Sequence, residues 1–326
     1  MGISHSERAG RMRRRFGRCN REAGSAQWVH RVGGTREVDR GDVRLSDSRL
    51  QNVVCCLGQP VVGNPTQFMM ERAFAAAGLD WRYLTLEVSP ARLGDGVRGI
   101  RALGFRGANV MIPHKMAVIE YLDSLTEIAQ LIGAVTTVER KGDLLVGDNT
   151  EGKAFLAGLR PIVEPKERRC VVLGAGGTAR AIAVELGLAG AAEITVVNRS
   201  AERGGDLASL LEQRVHVASH CVAWDGDYAV PPETDIIVHA TSLGASDPEA
   251  RVPVVDGSLE SRMVVADVIP NPTNSRLLKT AAERGCRTVD GLEMLVHRGS
   301  IDFRAWTEVG PDPHVLRESI EEYLEI

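Results

Sequence analysis

From Asn52 onward the chain alternates short apolar runs with stretches in which apolar residues recur every three or four positions. Asn52–Leu57 (NVVCCL) is apolar almost throughout and stops at Gly58, which predicts a buried strand. Asn64-Pro65 supplies a helix start and Gly78 its end. Trp81–Val88 alternates as a second strand. Ser89-Pro90 repeats the start signal, and Leu93, Val97 and Ile100 then share one helical face. Ala108–Ile112 is a third strand, stopped by Pro113. The spacing predicts helices over Lys115–Leu122 and Ser124–Ile132. Val135–Glu139 and Leu144–Gly147 flank a turn at Arg140–Asp143, so a hairpin is expected.

The same alternation resumes beyond residue 153. Cys170–Leu173 is a fully apolar strand, followed by Gly174-Ala175-Gly176-Gly177 and a helical stretch over Thr178–Leu188. Further strands are expected at Glu193–Val197, Asp235–Ala240, Met263–Ile269 and near Thr288. Strands alternating with helices define the α/β class, and this second series predicts a doubly wound parallel sheet of the Rossmann type. Two α/β domains are therefore expected, over 51–152 and from 153 to 290, with a cleft between them as the active site.

The chain has 326 residues, with 44% hydrophobic and 25% charged, an ordinary globular balance. It holds no run of about 20 apolar residues, which excludes a membrane-spanning helix. A net charge of −4 and 4% aromatic residues give no general attraction to nucleic acid. The charge is unevenly placed: residues 1–50 carry 12 Arg, no Lys and 6 acidic residues. They lack a hydrophobic period and read as a disordered basic tail. Six cysteines show no C-x-x-C pair, and adjacent Cys55 and Cys56 read as small core residues. A reducing cytoplasm without disulfides is expected, and no residue cluster has metal-ligand spacing.

The run from Val171 to Ala179 fits strand, G-x-G-x-x-A, helix. Such glycines let the backbone approach a pyrophosphate, and the helix N-terminus offers it free N–H groups. The next strand ends in Asn198-Arg199-Ser200, with Arg203 nearby, instead of the acidic residue that takes a ribose 2′-hydroxyl. Two arginines and a hydroxyl suit a 2′-phosphate, so the expected cofactor is NADP. Lys115 follows the third strand at an expected helix start, where a cation is disfavoured. Glu151 lies in the polar stretch Gly147–Gly152 at the domain boundary. Facing each other across the cleft, the two could move a hydroxyl proton while the cofactor takes hydride.

These motifs together resemble the shikimate dehydrogenase family, over about five-sixths of the chain. The resemblance is carried by Gly58-x-Pro60, Ala108-Asn109-Val110-x-x-Pro113-x-Lys115, Gly133-Ala134-Val135 and Gly147-x-Asn149-Thr150. The glycine loop, Asn198-Arg199-Ser200, Ala240-Thr241-Ser242-x-Gly244, Asp267 and Gly291-Leu292-x-Met294-Leu295 complete it. It implies a substrate domain over 51–152, an NADP domain over 153–290, and helices over 291–326 that return to the substrate domain. It implies interconversion of shikimate and 3-dehydroshikimate, with Lys115 as the catalytic lysine. Gly174, Ala175, Gly176, Gly177, Thr178, Asn198, Arg199, Ser200, Arg203, Thr241, Ser242, Val268 and Gly291 are the implied cofactor positions.

The substrate positions depart from the family's pattern. Glu151 stands where the family has aspartate. Asn64 and Thr66 replace two serines that hold the shikimate carboxylate. Met111 replaces a threonine, Thr136 an asparagine, Arg298 a glutamine and Pro270 a tyrosine. A site built on particular hydroxyls discriminates strongly, so such changes bear on the ligand. Arg298 could grip a carboxylate. Shikimate is the leading substrate, with quinate, an aminoshikimate or another cyclic hydroxy acid as alternatives. A non-catalytic NADP-binding sensor is a rival of a different class. The chain is expected to act as a monomer or homodimer.

Overall fold

The computed structural model describes residues 50–326 apart from 246 and 248. The basic tail expected over 1–50 lies outside the described residues but for Leu50. The first half of the described chain runs β1 (Asn52–Gly58), α1 (Thr66–Ala76), β2 (Trp81–Glu87), α2 (Leu93–Ala102), β3 (Gly107–Val110), β4 (Ser124–Leu125), α3 (Glu127–Ile132), β5 (Thr137–Lys141) and β6 (Leu144–Asp148). These strands form a mixed sheet in the order β2-β1-β3-β5-β6-β4, in which β5 runs antiparallel to β3 and β6.

The second half runs α4 (Glu151–Leu159), β7 (Arg169–Leu173), α5 (Gly177–Leu188), β8 (Glu193–Asn198), α6 (Ala201–Leu210), β9 (Ala218–Ala223), β10 (Ile236–His239), β11 (Val264–Asp267), α7 (Arg276–Glu283), β12 (Arg287–Val289), α8 (Gly291–Thr307) and α9 (Pro313–Leu324). Its six strands are all parallel, in the order β12-β11-β10-β7-β8-β9. Strand order reverses between β7 and β10. Ligands of open α/β sheets bind outside the strand ends at such a reversal.

Period-two alternation explains the layers. On β1, Val54 and Cys56 pack with Phe74 of α1, Phe303 of α8 and Ile320 of α9, whereas Cys55 and Leu57 pack with Leu93 and Val97 of α2. On β7, Cys170 and Val172 meet α4 and α5, and Val171 and Leu173 meet the α7 side. The C-terminal helices α8 and α9 thus cover the first sheet. Among the described residues no helix is long and apolar enough to cross a membrane.

Several elements differ from the sequence pattern. Lys115 does not start a helix. It lies in a turn ahead of a short 3-10 segment, Ala117–Tyr121, and its carbonyl accepts from the Val135 N–H. Lys115 is therefore not a first-turn residue of a helix, and no helix dipole acts on it from its own segment. Ser124-Leu125 pairs with β6 as a strand, and Thr126 caps α3 by accepting from the Ala129 N–H. The helix α1 starts one residue late, with Asn64 accepting from the Thr66 N–H. The strand β9 was not legible, because Ser219-His220 interrupts its ASHCVA sequence and leaves neither an apolar run nor a clean alternation. Glu151 sits on a helix instead of a loop. Ala154, Phe155 and Leu159 bury themselves among α5 and α8, and that packing overrides the loop-like Gly-Asp-Asn-Thr before it.

Candidate active site

Beyond β7 the backbone turns at Gly174, whose φ of +119° suits glycine and whose added Cβ would meet the Ala240 carbonyl oxygen at 2.8 Å. The helix α5 follows with no side chain capping its N-terminus. Nothing lies within 4 Å of where side chains on Gly176 and Gly177 would stand. Open space over an uncapped helix N-terminus fits a pyrophosphate. Beside it a cavity of about 630 Å³ is lined by Arg199, Trp224, Asp225, Thr241, Ser242 and Leu243, among others. The fit to a dinucleotide is good: glycine cradle, adjoining cavity and an arginine where a 2′-phosphate would fall.

The remaining expected cofactor positions fare unevenly. Asn198 donates from Nδ2 to the Ser200 carbonyl (2.8 Å), and the Ser200 hydroxyl caps α6 by accepting from the Arg203 N–H (3.3 Å). The Arg203 side chain is exposed and does not line the cavity. Thr178 turns its hydroxyl to Glu151 Oε2 (3.1 Å). Val268 donates its N–H to the His239 carbonyl. Gly291 starts α8 so close to β11 that a Cβ would lie 2.4 Å from the Ile269 carbonyl. Sequence reasoning missed His239. Fully buried, it lies 3.1 Å from Asp267 Oδ1 through Nδ1 and 2.6 Å from the Thr241 hydroxyl through Nε2, and so fixes the loop after β10.

Between the two sheets, Lys115 Nζ donates to Glu151 Oε1 at 2.5 Å. Glu151 opens α4, where the helix dipole favours an anion. Its carboxylate is buried, and burial pulls its pKa upward. The charges of Lys115 and Arg298 and the hydrogen bonds from Lys115 and Thr178 outweigh that pull and hold it below the ordinary range. The methylene that glutamate adds does not part the pair. The carboxylate reaches the lysine from one side and the α5 start from the other.

A second cavity, about 270 Å³, is linked to this pair through Arg298, which lines it and lies 3.6 Å from Glu151; Lys115 and Glu151 do not line it. It collects Asn64, Thr66, Met111, Pro270 and Arg298 of the expected substrate positions. Thr136 does not line it. Its fully buried hydroxyl accepts from the Thr150 N–H (2.9 Å) and stands 3.3 Å from the Thr150 hydroxyl. Arg298 is less free than its position in the sequence implied. Its Nη1 lies 3.6 Å from Glu151 Oε1, its Nε 3.6 Å from Asp302 Oδ2, and its Nη2 donates to the Thr136 carbonyl. Asp302 and its partner Asn109 were not singled out as site residues. A charged residue one turn from Arg298 on the same helix was the available signal. Among the described residues no cluster of His, Cys, Asp and Glu could hold a metal.

A parallel sheet with a glycine cradle, beside a mixed sheet, with a lysine–carboxylate pair bridging the two, is the architecture of a dinucleotide-dependent alcohol oxidoreductase. Residues 56–138 match the shikimate dehydrogenase substrate binding domain family, and residues 160–274 match the shikimate / quinate 5-dehydrogenase family. The NADP(+) shikimate dehydrogenase of Methanopyrus kandleri is 38% identical over 86% of this chain and 99% of that protein. Among solved structures, the 5-ketofructose reductase of Gluconobacter sp. strain CHM43 superposes with a TM-score of 0.82 at 44% identity, over 83% of this chain and 98% of that one. A shikimate dehydrogenase in complex with NADP+ superposes at 0.79 with 33% identity, over 84% and 96%. The chain belongs to the shikimate dehydrogenase family.

Proposed function

We propose that this chain is an NADP-dependent oxidoreductase that interconverts a ring secondary alcohol and its ketone, shikimate and 3-dehydroshikimate being the leading pair. The observation that carries the reading is the 2.5 Å Lys115–Glu151 pair, whose carboxylate contacts Thr178 at the start of α5 on one side and the cavity-lining Arg298 on the other. The dinucleotide, when bound, supplies or accepts the hydride. Lys115 Nζ gives a proton to the alkoxide oxygen that develops as a ketone is reduced, and takes the hydroxyl proton in the reverse direction. Glu151 aims the ammonium and balances its charge. Asn64 and Thr66 hold ring substituents, and the apolar Met111 and Pro270 exclude water from the reacting face.

A second reading, an uncharged polyhydroxylated ketone as substrate, is favoured by one feature of the cavity. Among the described residues Arg298 is the one cation lining the cavity, and it and Lys115 are paired with Glu151 and Asp302, which leaves a substrate carboxylate little positive charge to meet. The 44% identity to a 5-ketofructose reductase agrees with it. The deciding assay follows NADPH at 340 nm, a wavelength set by the cofactor's chemistry. It compares 3-dehydroshikimate with 5-ketofructose for reduction, and shikimate with quinate for oxidation. Turnover of the shikimate pair supports the first reading, and turnover of 5-ketofructose alone supports the second. Silence with all four, with NADPH bound, points to a sensor and removes both.

Arg199 gives a cofactor test. Arg199→Ala is expected to weaken NADP binding by roughly tenfold to a hundredfold, the worth of charge-assisted hydrogen bonds to a phosphate, and to leave NAD binding within about twofold. Titration of both dinucleotides against the variant checks this. An equal loss for both would place Arg199 away from the 2′-phosphate.

A further inference from the structure

Asp302 is a carboxylate buried to 1% exposure in the wall behind the substrate cavity. Three neutral side chains from three different elements donate to it. Asn109 Nδ2 of β3 reaches Oδ2 at 2.6 Å, while Thr137 Oγ1 at the start of β5 and Thr150 Oγ1 just before α4 reach Oδ1 at 2.7 and 2.9 Å. Asn109 is in turn held through Oδ1 by the Tyr83 hydroxyl of β2 at 2.8 Å. A carboxylate pinned from so many sides cannot move to meet a partner. The partner must come to it.

That partner is Arg298, one helical turn earlier on α8. Its three nitrogens are all directed at protein acceptors: Asp302, Glu151 and the Thr136 carbonyl. The guanidinium lines the cavity, with one hydrogen bond to the Thr136 carbonyl and two ion-pair contacts at 3.6 Å that turn it toward the protein. The opposite wall is also neutral. Asn64 Oδ1 accepts both the N–H and the hydroxyl of Thr66, at 3.1 and 2.7 Å. Asn64 Nδ2 is left against the weak sulfur acceptors of Met111 and Cys56. This wall therefore offers one donor, Asn64 Nδ2, and one acceptor, the Thr66 oxygen. Such a pair suits a hydroxyl, which gives and takes one hydrogen bond; a carboxylate takes donors only.

We propose that Asp302 is a specificity-determining positioning residue, which turns the Arg298 guanidinium in the cavity wall toward protein acceptors so that the cavity reads ring hydroxyls in preference to a carboxylate. This rests on the reading of the cavity as the substrate site of an NADP-linked oxidoreductase. Asp302 touches no reacting atom. It acts by fixing where the Arg298 charge is spent.

The test is Asp302→Asn in the full chain. Shikimate binding to the NADP+-loaded protein is measured by calorimetry. KM and kcat are measured at saturating NADPH with 3-dehydroshikimate and with 5-ketofructose. Releasing the Arg298 Nε from Asp302 is expected to tighten shikimate binding and to lower KM for 3-dehydroshikimate, each by roughly tenfold, a modest share of a charge-assisted hydrogen bond. KM for the uncharged ketone stays within about twofold, so the change shows as a split between substrates that a general loss of packing would not produce. The double variant Arg298→Gln/Asp302→Asn is expected to abolish the gain. If Asp302→Asn does not fold, Asp302→Ser, which keeps a hydroxyl for Asn109, carries the same expectation. Unchanged shikimate affinity in a folded variant, or a gain that survives loss of Arg298, overturns the proposal. A gain in affinity, with the unsubstituted chain turning over none of the four compounds, upholds it and removes the oxidoreductase reading. Turnover without any gain does the reverse.

Discussion

Lys115→Met is expected to lower kcat by roughly 10²- to 10⁴-fold, the range that a positioned general acid contributes. Methionine keeps the length and apolar stem of lysine and removes the proton that Nζ would give to the developing alkoxide. NADP binding should stay unchanged, because Lys115 lies beyond β3 in the first sheet's half and the glycine cradle follows β7 in the second. The fold should also survive. The Lys115 backbone is anchored through its carbonyl to the Val135 N–H whatever the side chain, and the side chain is partly exposed. Steady-state kinetics with a thermal melt and a dinucleotide titration separate these effects. A variant that retains more than about a tenth of wild-type kcat would show that another group moves the proton.

Glu151→Gln is the second large effect, and it acts on stability as well as rate. The substitution leaves Lys115 and Arg298 facing one another's charge with only Asp302 to balance them. Breaking a buried pair from one side costs several kcal/mol; about 3 kcal/mol is expected here, the lower end of that range, because Lys115 keeps some contact with solvent. The rate should fall by roughly a hundredfold, as the ammonium loses the partner that aims it. The pH dependence has a definite sign. Glu151 has a carboxyl pKa held below its ordinary 4.5 by Lys115 and Arg298, in spite of burial. A depressed folded-state value contributes stability that is fully present above the unfolded-state value and is lost as pH falls through the folded one. The stability gap between wild type and Glu151→Gln should therefore be constant above about pH 5 and should shrink only below 4.5. Melts over that interval check it. A gap that closes near neutral pH would mean that the pair is not an ion pair. Glu151→Asp should recover most of the stability, because it keeps the charge and shortens only the reach.

Local chemistry in this chain was legible wherever one stretch of sequence supplied both the element and its punctuation. Cys170–Leu173 followed by Gly174-Ala175-Gly176-Gly177 reads as a strand, a tight turn and a helix start, because the run, the glycines and the period of the next helix are contiguous. The core faces of α2 followed from Leu93, Val97 and Ile100 for the same reason, and all three are buried. Lys115 and Glu151 could be named as partners from their motifs, but their 2.5 Å contact could not.

What the tertiary structure alone decided involves pairing over distance. Ser124-Leu125 became a strand because β6 offers its edge, and β9 formed because β8 does; neither edge can be seen from the residues that take it. Glu151 became helical because α4 buries its apolar face against α5 and α8, and that gain outweighs the turn-forming residues before it. Arg298 shows the limit most plainly. In sequence it is a cation at a substrate position, free to take a carboxylate. In the fold it is engaged by Glu151 and Asp302, and Asp302 is itself fixed by Asn109, 193 residues away along the chain. Residue type and spacing determined which groups the site contains. Which of their charges face a substrate depends on desolvation and on partners from distant segments, and only the packed structure brings these together.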